Sequence, residues 1–135
     1  LDFSPYEGAE VTFDLNRSPL ELPLDLASRF GIVLNGGTLE HVFHVPNALG
    51  SITRLLRAGG SVIHIVPAHN SVDHGFYQIN PTLLFDYYEA AGFDILEAAS
   101  FCWDPNLPNS NESRISPVQP GSFGEGLLGA LGPET

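Results

Sequence analysis

Apolar positions along this chain recur with different periods, and each period predicts an element. Ile32, Val33 and Leu34 form a run with no polar residue alternating, which predicts a strand buried on both faces. Val11, Phe13 and Leu15 alternate with Thr12, Asp14 and Asn16, a period of two that predicts a strand over residues 9–16 with one face better covered. Val45, Leu49, Ile52, Leu55 and Leu56 recur at helical spacing, and Pro46 suits the first helical turn because its missing N–H costs nothing there. Arg54 and Arg57 fall late in this helix, where they favour its negative end, and Gly59-Gly60 stop it. Residues 61–67 then predict a second buried strand, Val62-Ile63-His64-Ile65-Val66. Asn80 caps a further helix with Pro81 at its first position, Leu84, Tyr87, Tyr88 and Ala91 on its buried face and Gly92 at its end. Residues 93–101 predict another strand.

Pro19 and Pro23 keep the segment before the central strand out of regular structure, with a helical turn expected near residues 25–29. The connection between the strands at residues 32–34 and 61–67 is too long for a hairpin and has the size of a βαβ crossover, so the two should be parallel. Strand, strand, helix, strand, helix, strand describes an α/β fold with a mostly parallel sheet. Asn35, Gly36 and Gly37 break the central strand, and Thr38, Glu40, His41 and His44 follow at once. Titratable groups thus gather just past a strand's carboxyl end, where open α/β sheets bind ligands. A loop over residues 68–80 adds His69, Asp73 and His74. Beyond Trp103 the pattern decays, and residues 105–135 are expected to form an irregular or partly disordered tail, with an edge strand at most over residues 115–118. Residues 1–104 form the folded part of this division.

Charge narrows the partners. Sixteen acidic residues oppose five Arg, a net charge of −11 that repels a phosphate backbone and excludes nucleic acid as a partner in this reading. No run reaches the roughly 18 apolar residues of a membrane span, so no membrane is expected either. The single cysteine, Cys102, rules out a disulfide framework and makes a reducing cytoplasm the default.

Four stretches carry a family resemblance: Gly36-Gly37-Thr38-Leu39-Glu40-His41-Val42, Leu55-Leu56-Arg57-Ala58-Gly59-Gly60-Ser61-Val62-Ile63-His64, Asp73-His74-Gly75-Phe76-Tyr77 and Ala90-Ala91-Gly92-Phe93-Asp94. In their order and spacing they resemble the second half of a class I S-adenosylmethionine-dependent methyltransferase, over about residues 1–101. The resemblance implies a Rossmann-like three-layer sheet and methyl transfer to a small acceptor. It also implies that Asp2 meets the ribose hydroxyls, Asp14 the adenine amino group and Leu15 the ring, while Asn35, Gly36 and Gly37 pass the methionine end. A carboxylate can accept two ribose hydroxyls, and glycines admit close backbone approach, so the residue types agree. The family's first strand and its glycine-rich loop have no counterpart here. The fold is therefore expected to be incomplete at the amino terminus, part of a longer chain, with weak cofactor binding and self-association through an uncovered sheet face.

Among the histidines, His64 lies inside an apolar strand and reads as a hydrogen-bonded core residue, while His44 near a helix start reads equally as a cap or solvent-facing residue and as a functional group. His41 and His74 are the candidate catalytic residues, with Asp73 pairing with His74 to tune a general base. Two rivals stay open. His41, His44, His69, His74, Glu40 and Asp73 offer nitrogen and oxygen donors for a metal ion, though none shows the helical His-Glu-x-x-His spacing, and no metal ligand is assigned. The other rival is a non-catalytic interaction module on a truncated methyltransferase fold.

Overall fold

The computed structural model describes residues 1–6, 8–69, 71–102 and 114–119. The chain divides into two compact units, Leu1–Ile79 and Asn80–Thr135.

In the first unit, strand β1 (Phe30–Gly36) and strand β2 (Leu56–Ile65) pair in parallel, joined by helix α1 (Val45–Leu55). This is the crossover that the spacing predicts. Register runs Ile32 to Ser61, Leu34 to Ile63 and Gly36 to Ile65, after an irregularity that separates this ladder from the Phe30–Leu56 pair. Gly59, at φ +71°, turns the chain inside that irregularity. The glycines expected to stop the helix thus lie past its end: α1 closes at Leu55, and Gly59-Gly60 shape the entry into the paired part of β2.

Helix α1 starts where Pro46 predicts. His44 caps it, its Nδ1 accepting from the Asn47 amide at 3.2 Å, which is one of the roles open to that residue. Ala48, Leu49, Ile52 and Leu55 bury one face. Leu55 joins Phe13, Leu22 and Leu26 in a core cluster against which Val11, Leu15 and Val33 pack. Leu22 and Leu26 arrive on two short 3₁₀ turns, Pro19–Glu21 and Leu24–Leu26. The first carries a reciprocal capping box between Ser18 and Glu21, with Arg17 paired to Glu21.

Three expectations need correction. The central strand is not covered on both sides: Ile32 is 66% and Leu34 62% exposed, as are Ile63 (48%) and Ile65 (66%) on the same face of β2. An apolar run shows that a strand could be covered twice, and here α1 covers only the side bearing Val33 and Asn35. The strand expected over residues 9–16 shrinks to one parallel bridge, Asp2 to Thr12, although its alternation holds in that Phe13 is buried. The strand expected over residues 93–101 is shorter and later: β3 (Ala99–Cys102) pairs antiparallel with β4 (Arg114–Pro117) in a sheet of its own.

The second unit also holds helix α2 (Pro81–Ala90), whose Asn80 cap accepts from the Thr82 amide at 2.9 Å, as the Asn-Pro pair predicts. Its buried positions are Phe85 and Tyr88, with Leu84 and Tyr87 half-buried and Ala91 exposed. Strand β4 lies in the segment expected to be tail, near the predicted edge strand; residues 105–113 and 120–135 of that tail lie outside the described residues. The architecture is α/β, with a parallel two-stranded sheet, an antiparallel pair and two helices among the described residues. No helix among them is long and apolar enough to cross a membrane.

Candidate functional site

The site begins with one asparagine. Asn35 ends the covered face of β1 at 4% exposure, and its Oδ1 accepts from the amides of Thr38 (3.3 Å) and Leu39 (3.2 Å). Its Nδ2 reaches His64 Nδ1 on β2 at 2.8 Å. The side chain expected near the cofactor is therefore committed to holding the turn. His64 is the hydrogen-bonded strand residue expected of it, and burial pushes its imidazole down to about 4. Gly37, at φ +71°, donates to the Ile65 carbonyl, while a side chain at Gly36 would meet nothing within 4 Å. The backbone at Gly36 is thus open to approach.

The turn delivers a short 3₁₀ helix, Leu39–His41, which buries Leu39 and Glu40 and leaves His41 exposed. The loop over residues 68–78 folds back on it. That loop is closed at its base by the Ile79 amide on the Pro67 carbonyl, and its far side is pinned by the Phe76 and Tyr77 amides on the Glu40 carbonyl at 2.7 and 3.3 Å. Gly75, at φ +72°, lies so close that a Cβ there would stand 2.8 Å from the Glu40 carbonyl oxygen. This packing carries His74 over Glu40: His74 Nε2 is 3.5 Å from Glu40 Oε1, and the His41 and His74 rings meet edge to face at 4.9 Å.

The pairing expected between Asp73 and His74 is replaced by one with Glu40. Asp73 occupies a left-handed turn position, φ +64°, and the carboxylate beside the imidazole is that of Glu40, whose side chain is 1% exposed. The reason is geometric: neighbouring side chains in a turn diverge, whereas the folded-back loop brings His74 onto a residue thirty-four positions earlier. Glu40 Oε2 has no hydrogen-bond partner among the described residues. Glu40, His41 and His74 form a group whose donor atoms all lie within 4.8 Å of one another, and His44, His69 and Asp73 stand outside it. Beside this group, Phe43, Phe76 and Tyr77 make an aromatic edge, with ring centroids 6.0 to 6.5 Å apart and the Tyr77 hydroxyl donating to the Phe43 carbonyl. Sequence reasoning named the two imidazoles and missed the depth of Glu40, the aromatic edge and the role of Gly75. A glycine directly after His74 was the one visible signal.

The expected cofactor residues divide. Asp2 Oδ1 accepts from the Ser4 amide and Asp14 Oδ1 from both nitrogens of Asn16, which leaves Oδ2 of each without a bond among the described residues. The Asn16 amide beside Asp14 holds that carboxyl below its usual range. Asn16 in turn accepts from the His44 amide at 2.9 Å and from Asn47 Nδ2 at 2.7 Å, so the Asp14 turn is tied to the start of α1, at the carboxyl end of β1. Leu15 packs in part against the core cluster, which leaves less of it for a ring. No protein-family model, curated protein or solved structure matches the chain.

Proposed function

We propose that the chain contributes to methyl transfer from S-adenosylmethionine to a small acceptor, on a Rossmann-like fold in the cytoplasm. The observation that carries this reading is the β1–α1–β2 unit with its Asn35-Gly36-Gly37 turn, open at Gly36 and followed at once by Glu40 and His41. The Asp2–Thr12 bridge is parallel too, as a neighbouring strand pair of such a sheet would be. Asp2 and Asp14, each with an oxygen to spare, fit the ribose and adenine side of the cofactor. Gly36 and Gly37 suit close passage of its sulfonium end. Leu15 fits less well. When bound, the cofactor supplies an electrophilic methyl group on a positively charged sulfur.

The work left to the protein is alignment: an acceptor atom held in line with that methyl group needs little else, because positioning alone supplies much of the rate. His41 and His74, both exposed, are the side chains offered as the base for an acceptor that must lose a proton. The aromatic edge of Phe43, Phe76 and Tyr77 gives the acceptor an apolar wall. Saturation-transfer NMR with S-adenosylmethionine tests the reading on this chain. Weak binding is expected, with ribose and adenine protons saturated most and the signal lost in Asp14→Ala. No saturation, or saturation unchanged by Asp2→Ala and Asp14→Ala together, overturns it.

A non-catalytic interaction module is the second reading, favoured by the open apolar face of β1 and β2. Methyl transfer to any acceptor by the protein would set it aside.

A further inference from the structure

We propose that Glu40, His41 and His74 form a binding site for one divalent transition-metal ion of the zinc class. Two imidazoles and one carboxylate are a donor set that zinc and its neighbours accept, and one that the oxygen-seeking magnesium and calcium ions do not favour. The spacing agrees. Ligands about 2.05 Å from a tetrahedral ion lie about 3.4 Å apart, and His74 Nε2 lies 3.5 Å from Glu40 Oε1. Two imidazoles on one such ion place their ring centres about 5 Å apart, and those of His41 and His74 are 4.9 Å apart. The widest donor separation in the group, 4.8 Å at most, closes by a small rotation of exposed rings.

A second, independent observation points to a cation. Glu40 is a carboxylate buried to 1% exposure, with Oε2 unpartnered among the described residues. Buried charges are paired or coordinate metals, because a carboxylate taken out of water without compensation is among the costliest groups in a fold. Gly75 and the two amides on the Glu40 carbonyl hold the backbone at residues 40 and 75 together, which keeps His74 over this side chain. Three protein donors leave a tetrahedral ion one open position, as in sites that bind a water or an oxygen ligand.

The inference does not rest on methyl transfer, since ion binding is read without cofactor or acceptor. An imidazole that ligates an ion through the nitrogen facing the site is not also the base there; the ion would instead supply a Lewis-acidic open position.

Titration calorimetry of tag-free protein with Zn²⁺ decides, with Co²⁺ absorption as a report of tetrahedral coordination. One ion per chain is expected, bound at least ten-fold more weakly by His41→Ala and by His74→Ala, both exposed substitutions, and equally well by His69→Ala. Glu40→Gln should weaken binding as much if it folds. Absence of stoichiometric Zn²⁺ binding overturns the site. So does binding that survives both His41→Ala and His74→Ala, or that His69→Ala weakens as much, since diffuse binding to the acidic surface would then account for the ion.

Discussion

Gly75 shows how much of the site depends on a residue with no side chain. Gly59 has nearly the same backbone angle, φ +71° against +72°, yet a Cβ at Gly59 meets nothing within 4 Å while one at Gly75 meets Glu40 backbone at 2.8 Å. Alanine at either position bears the left-handed penalty of about 1–2 kcal/mol. Only at Gly75 must the loop also move off Glu40. We expect Gly75→Ala to lower unfolding free energy by roughly 1 kcal/mol more than Gly59→Ala in urea titrations; equal losses would mean that the contact carries no weight. His64 gives a residue-scale expectation in pH. Burial lowers its folded value from 6.5 to about 4, so the unfolded chain takes up this proton first as pH falls. Stability from the neutral ring is complete above the unfolded value and is lost as pH falls through the window from 6.5 to about 4. The ring is only part-buried, and after allowance for solvent screening the loss is on the order of 1 kcal/mol. Imidazole NMR should place the His64 midpoint near 4; a midpoint at the unperturbed value would show that burial does not set its proton affinity.

At the scale of elements, what could be read in the sequence was what local chemistry decides. Pro46 and Asn80-Pro81 start their helices where expected because caps and first turns are satisfied by residues a few positions away. The parallel pairing of β1 and β2 followed from chain length alone. The number of covered faces on β1 did not, because Ile32-Val33-Leu34 carries the same signal whether one helix or two lie against it. Nor did the partner of His74, since the fold of residues 68–78 onto Glu40 is a tertiary event with Gly75 as its only local trace. Gly50 shows the same limit in reverse. Inside a helix, Gly→Ala usually gains about 0.5–1 kcal/mol. A Cβ at Gly50, however, would stand 2.7 Å from Cγ of Pro19, a ring carbon on the packed 3₁₀ turn. Gly50→Ala should therefore destabilise by about 1 kcal/mol, and in a Pro19→Ala background it should become neutral or favourable. Stabilisation in both backgrounds would show that the turn yields freely.

For the whole molecule, an apolar sheet face and a strongly acidic charge act against each other. Ile32, Leu34, Ile63 and Ile65 lie together on the open face of β1 and β2, each about half to two-thirds exposed. Contiguous apolar surface of this kind marks a contact site, and a second copy of the chain presents the same flat face, which two-fold symmetry can bring into register. The net charge of −11 resists that approach. The two terms respond oppositely to salt, because ions screen charge over a Debye length of about 10 Å at 0.1 M and leave apolar attraction intact. Association should therefore rise with ionic strength as well as with protein concentration, the reverse of what an ion-paired interface would do. Sedimentation velocity across a salt series measures it. Ile32→Thr with Ile63→Thr should abolish the rise at a modest cost in stability, since both side chains are already about half in water or more and Thr keeps the β-branched shape. A chain that stays monomeric at high salt, or that associates as strongly with both substitutions in place, would show that this face is not what brings copies together.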